Sequence, residues 1–198
     1  MKPAALAFTL IAAAAGLMAH AGAQAAPITL DFEEPASFSP IGDHYAGVSF
    51  GPDALALAND ALGPYFSNAP SPLGVMTAVG SDATMNIADG FFSLSFHYSS
   101  LEDVLGAVQV FSGLDGSGTL LASFDLQANA QADGCSDSPL CHWDRLSAQF
   151  GTLAHSVTFG GAANVAVFDD LSTVPEPTSA LLAALGLAGL AARRSRRA

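Results

Sequence analysis

Along the middle of the chain, apolar and polar positions alternate in short bursts. The clearest runs from Phe91 to Tyr98, with Phe92, Leu94, Phe96 and Tyr98 on one face and Ser93, Ser95 and His97 on the other. This is the period-2 pattern of a half-buried strand. Comparable runs lie at Ile28 to Phe32, Tyr45 to Phe50, Gly74 to Val79, Thr84 to Ala88, Val104 to Phe111, Thr119 to Leu126, Leu146 to Phe150, Ser156 to Phe159 and Asn164 to Phe168. Gly, Pro, Asp and Ser separate them, so the pattern predicts an all-β fold, an antiparallel sandwich or barrel. Ala54 to Asn59 is too short for periodicity to separate a strand from a turn of helix. Gly113-Leu-Asp-Gly-Ser-Gly118 reads as a hairpin turn, because its glycines and Asp115 supply the positive-φ positions that a reversal needs. A ligand loop is the other reading of the same residues. Pro64 to Pro72, rich in proline, is expected to be an irregular surface loop.

Both ends depart from this pattern. Lys2, the apolar run Ala4 to Ala19 and the small residues ending in Ala23-Gln24-Ala25 have the form of a secretory signal peptide cleaved by signal peptidase after Ala25. An N-terminal membrane anchor is the alternative. At the other end, Val174-Pro175-Glu176-Pro177 precedes an apolar helix over 178–192 and a basic tail over 193–198 containing Arg193, Arg194, Arg196 and Arg197. That helix would be about 22 Å long, against about 30 Å of hydrocarbon, so it spans only a thinned bilayer or inserts transiently. The terminal arginines stay on the cytoplasmic side, which leaves the rest of the chain outside. The expected division is a signal peptide (1–25), an extracytoplasmic β-sandwich (26–173) and a C-terminal segment (174–198).

Pro175-Glu176-Pro177, the apolar helix and the basic terminus together resemble the PEP-CTERM sorting signal of Gram-negative bacteria. The resemblance implies recognition by an exosortase, a membrane-embedded cysteine-type transpeptidase, with removal of the tail at or near the motif. It also implies association with exopolysaccharide and the biofilm matrix at the outer surface, after transient anchoring in the inner membrane. A plain single-pass tail is the alternative, since the two prolines by themselves guarantee only an extended segment. The central domain, through Leu30-Asp-Phe-Glu33, Tyr45-Ala-Gly-Val-Ser-Phe50 and Val167-Phe-Asp-Asp-Leu171, resembles the jelly-roll, galactose-binding-like sandwich of carbohydrate-binding modules. In such modules an acid in the first strand and one in the last share a structural calcium ion. The resemblance therefore implies Glu33 and Asp170 as calcium ligands, with Asp31 and Asp169 next. Calcium takes six to eight oxygens in tolerant geometry. No contiguous D-x-D-x-D-G loop is present, and solvated acidic turns are the plainer reading.

Charge narrows the partners. The 198-residue chain has a formal net charge of -12. Between Ala26 and Val174, however, Arg145 is the one basic residue against 17 acidic ones, a net charge of -16. Nucleic acid is excluded, because phosphate neutralisation requires clustered Lys and Arg. Outside the cytoplasm, Cys135 and Cys141 are expected to form a disulfide; a Cys-Cys-His metal site with His142 would lack a fourth ligand. The pinned loop presents His142, Trp143 and Asp144, and Trp143 is either core or a stacking platform for a sugar. Gly47-Val-Ser-Phe-Gly51 matches G-x-S-x-G, with His97, His142 and His155 as nominal partners. That motif works only on a strand, sharp turn and helix, and here Pro52 follows within a β pattern. The neighbouring pairs Glu33-Glu34, Glu102-Asp103 and Asp169-Asp170 point to opposite faces of a strand, unlike glycosidase carboxylates facing across a cleft. No catalytic residue is assigned and no cofactor beyond calcium. The reading is a surface-sorted structural or adhesive protein, with a carbohydrate-binding module, calcium-dependent or not, as the alternative and a hydrolase third.

Overall fold

The computed structural model describes residues 27–174. The expected signal peptide, Pro175-Glu176-Pro177, the expected apolar helix and the basic tail lie outside the described residues. The described chain is essentially all β: β1 (Ile28–Leu30), β2 (Ser49–Phe50), β3 (Ala54–Ala58), β4 (Gly74–Ala78), β5 (Thr84–Ser100), β6 (Val104–Phe111), β7 (Leu120–Leu126), β8 (Asp144–Thr158) and β9 (Ala166–Val174). Its helical content is two short 3-10 turns, Ala132–Gly134 and Gly160–Ala162. Among the described residues no helix is long and apolar enough to cross a membrane.

Two antiparallel layers face each other, and β5 and β8 run through both. In one layer the order is β3-β4-β9-β5-β8, with β1 beside β9. In the other, the start of β5 and the end of β8 pair at Thr84↔Thr158 to Asn86↔Ser156, flanked by β2 on one side and by β6 and β7 on the other. The sequence pattern predicts two strands where each of β5 and β8 is one continuous bent strand. The bend in β5 falls at Gly90, whose φ is +70°. A Cβ there would meet the Leu153 side chain and the Ala154 carbonyl oxygen, so only glycine lets the two strands turn together.

That irregularity also corrects the alternation. The register shifts between Phe91 and Ser93, and Phe91 is fully buried whereas Phe92 is only partly so. Leu94, Phe96 and Tyr98 point into the core as expected. Tyr45 to Val48 is turn, leaving β2 two residues long, while Ala54–Ala58 is a strand. The Gly113–Gly118 segment is the β6–β7 connection.

The main core lies between the layers. Phe96 of β5 packs edge-on against Phe124 of β7 at 5.2 Å and Phe168 of β9 at 5.7 Å, and Phe168 meets Phe159 at 4.9 Å. A second, smaller cluster of Leu57, Phe66, Val75, Ala130, Leu140 and Val167 forms where the loops after β3 and β7 fold over the outer face of the first layer. Truncating a fully buried phenylalanine such as Phe66 or Phe96 costs about 3–5 kcal/mol.

Candidate functional site

The first and last strands are neighbours, pairing at Ile28↔Thr173 to Leu30↔Leu171, so the four acids singled out from the sequence come together where β1 ends beside β9, short of the β4 pairing at Phe168. Their roles differ. The Glu33 carboxylate accepts the amides of Leu73 (2.7 Å) and Gly74 (3.2 Å). Gly74 is required there, because a Cβ would lie 2.0 Å from the Phe32 carbonyl oxygen. Asp31 accepts from the Glu33 amide and from the Tyr45 hydroxyl, each at 3.4 Å. Asp169 is buried. Its Oδ2 accepts the Ser71 amide (2.8 Å), and its Oδ1 accepts the Asp170 amide (2.7 Å) and meets Ser71 Oγ at 2.5 Å. Asp170 sits at a positive φ of 48°, where a register shift in the β5–β9 pairing occurs.

Ser71 Oγ also lies 2.8 Å from the Asp31 carbonyl oxygen. A hydroxyl has one proton, so Ser71 Oγ donates to one of two acceptors, Asp169 Oδ1 or the Asp31 carbonyl oxygen. Burial first, with the Asp170 charge adding, pushes the Asp169 carboxyl up to about 6 against the hydrogen bonds from Ser71 and Asp170. Nearby His97 is held below its ordinary value by burial, and its Nδ1 is buried without a partner.

These residues do not fit a calcium shell. Among the described residues no group of three or more His, Cys, Asp or Glu is placed to hold a metal ion. Glu33 Oε1 and both Asp169 oxygens are taken by N–H and O–H donors, where a cation would need them free. Beyond the direct β1–β9 pairing, Ser71 bridges Asp31 and Asp169.

Cys135 and Cys141 are bridged, which takes both thiols away from any metal. Their loop is laced to the segment after β3. Ser67 donates its amide to Leu140 O at 3.0 Å, Ser67 Oγ meets Ser138 Oγ at 3.0 Å, and Asn68 donates to Cys141 O at 3.2 Å. Trp143 is part of this cover: its indole N–H donates to Ser67 O at 2.9 Å, and its ring stands edge-on to Phe66. The His142 ring nitrogens lie 3.4 Å from Asp133 and 3.4 Å from Asp144.

Two of the surface clefts among the described residues bear on these segments. One, of about 460 Å³, crosses the outer face of the first layer and is lined by Ser93, Ser95, Ser147, Gln149, Ser172 and Arg145; Arg145 donates to Ser95 Oγ at 2.9 Å. The other, of about 520 Å³, lies between Asp43–Ser49 and the β6–β7 hairpin, with Asn86 and Ala88 between. It brings together the G-x-S-x-G segment and the glycine-rich turn. Ser49 lies in β2 opposite Asn86, and the chain goes on through a turn to β3, so the helix that a nucleophile elbow needs is not there. The sequence contains both segments but no sign that they share a cleft, because strand pairing alone joins them.

The outer address and the domain can now be set beside known proteins. Residues 173–197 match the family description "PEP-CTERM protein-sorting motif", starting in the last residues of β9. No curated protein sequence matches the chain. Among solved structures, the K2 cleaved adhesin domain of Lys-gingipain is 14% identical, with a TM-score of 0.50, over 75% of this chain and 99% of that one. The module CsCBM6-3 from Clostridium stercorarium, solved with cellobiose, is 14% identical with a TM-score of 0.41, over 75% of this chain and 94% of that one. The C-terminal CBM6 of a marine laminarinase from Zobellia galactanivorans is 9% identical with a TM-score of 0.42, over 75% and 99%. At these identities the adhesin domain speaks to fold alone. The chain carries a PEP-CTERM sorting motif behind an all-β domain: it is an exported protein, processed by an exosortase and sorted to the cell surface.

Proposed function

We propose that the protein is a structural or adhesive component of the bacterial surface and its extracellular matrix, a folded β-sandwich held out by its C-terminal strand. The observation that supports this most directly is where the sorting motif is attached. It begins at Thr173, in β9, which is hydrogen-bonded to β5 on one side and to β1 and β4 on the other. Load applied through the tail enters an interior strand rather than an edge, which suits a tethered domain that must stay folded. After processing, the domain is retained at the outer surface or in the exopolysaccharide of a Gram-negative cell.

Replacing Pro175-Glu176-Pro177 with three alanines is expected to leave an unprocessed chain at the inner membrane, followed by immunoblot of cell fractions. Normal tail removal and normal surface display would sink the sorting reading. A second reading, a carbohydrate-binding module for the matrix polysaccharide, is favoured by the cleft between Asp43–Ser49 and the β6–β7 hairpin, whose size suits a small ligand. A glycan array probed with the full-length protein, with and without chelator, separates the two. Specific, saturable binding supports the module, and none supports a purely structural part.

A further inference from the structure

Asn86 and Asp115 hold each other in a reciprocal pair at the base of the larger cleft. Asn86 Nδ2 donates to Asp115 Oδ1 at 2.8 Å, and the Asp115 amide donates to Asn86 Oδ1 at 2.8 Å. The second bond fixes which end of the Asn86 amide is oxygen. Each partner keeps a group in reserve: Asn86 has its second N–H, and Asp115 has its second carboxylate oxygen. A donor and an acceptor fixed beside each other complement a vicinal diol, one hydroxyl giving its proton to the carboxylate and the next accepting from the amide. Tyr45, Leu114 and Ala88 supply apolar surface for the C–H face of a sugar ring. Asp43 and Asp115 line the cleft and no Lys or Arg does, so anionic ligands are repelled.

The cleft is also preorganised, which reduces the entropic cost of binding. Ser156 Oγ donates to Gly113 O at 2.6 Å and accepts the Gly116 amide at 3.0 Å, while the His155 ring donates to Ser112 O at 2.8 Å. These bonds fasten the hairpin to β8. Asp115 has a φ of 55°, a conformation that Asp tolerates better than most residues. On the other side, the Tyr45 hydroxyl donates to Asp31 and accepts the Phe32 amide at 2.8 Å, which sets the ring.

We infer that this cleft binds a neutral pyranose through a vicinal diol held by Asn86 and Asp115. The inference rests on the carbohydrate-binding reading and names its site. The test is an NMR titration of the isotope-labelled full-length protein with glucose, galactose, mannose and cellobiose at millimolar concentrations, repeated on Asp115→Ala and on Asp43→Asn. Asp43 is an exposed side chain whose change leaves the hairpin bonds in place. The expected result is that one sugar shifts the resonances of Asp43–Ser49, Asn86 and Asp115. Its Kd should rise about tenfold or more in Asp115→Ala, the loss of about 1.4 kcal/mol, and stay within about twofold in Asp43→Asn, which removes only a lining charge. A sugar that shifts only other residues, with unchanged Kd in both variants, overturns this site but leaves carbohydrate binding standing. No shift with any of the four sugars overturns both.

Discussion

Asp169 shows how one buried side chain ties pH to stability. Its carboxyl titrates at about 6 in the fold against an ordinary value of 3.8. The folded state therefore binds a proton that the unfolded chain does not hold between those values. Stability from this group is fully present below the ordinary value and is lost as pH rises through about 6. His97 works in the opposite sense, because a histidine held below its ordinary value resists the protonation that the unfolded chain accepts. Urea unfolding from pH 7.5 down to about 4 is expected to show Asp169→Asn with a flatter, or more negative, gain on acidification than the native chain. Parallel pH profiles for the two proteins would refute the role given to Asp169. The sequence offers Asp169 as one of a pair of strand acids and as a calcium ligand implied by resemblance, not as a partner of Ser71. Its partner Ser71 is 98 residues away, and nothing in the local pattern reports that separation.

At the scale of elements, the disulfide loop acts as a clasp on the second hydrophobic cluster. In the chain-entropy picture, closing so short a loop contributes about 2–3 kcal/mol. The bonds from Ser67 and Asn68 into that loop extend the effect to the segment over Phe66. Cys135→Ser with Cys141→Ser is expected to lower the unfolding free energy by about that amount. It should also shift the emission of Trp143, the one tryptophan in the chain, to longer wavelength as the cover loosens. Emission that stays put while stability falls would confine the disulfide to its own loop. The pairing itself was legible from two nearby cysteines behind a secretory signal. The clasp was not: a lone tryptophan reads more readily as core than as a sugar platform, and only the contacts of Trp143 with Ser67 and Phe66 place it in this cover.

For the whole molecule, the charge of -16 across the domain acquires a structural reason. Seven acidic side chains, Asp31, Glu33, Asp53, Asp60, Asp103, Asp125 and Asp169, accept backbone amides in turns and at strand ends. A fold with many short strands leaves many such amides outside its ladders. Carboxylates can satisfy them, whereas lysine and arginine carry no acceptor. Acidic turns thus stabilise the domain by capping backbone amides, and Ser71 bridges Asp31 and Asp169. Adding calcium, or a chelator, is expected to leave the Tm of the full-length protein unchanged. A Tm that rises with calcium in a saturable way would restore the ion site at Glu33, Asp31, Asp169 and Asp170.

The features readable in the linear chain were those carried by contiguous residues: the sorting motif, the β class, the hairpin turn and the disulfide. Each depends on neighbours in sequence, through hydropathy over a short window or the φ angles of a few glycines. Strand continuity through β5 and β8, the burial of Phe91 rather than Phe92, the Ser71–Asp169 link and the Asn86–Asp115 cleft belong to the folded state. They depend on pairing between strands far apart in sequence, where one register shift decides which side chain meets the core and which meets a partner.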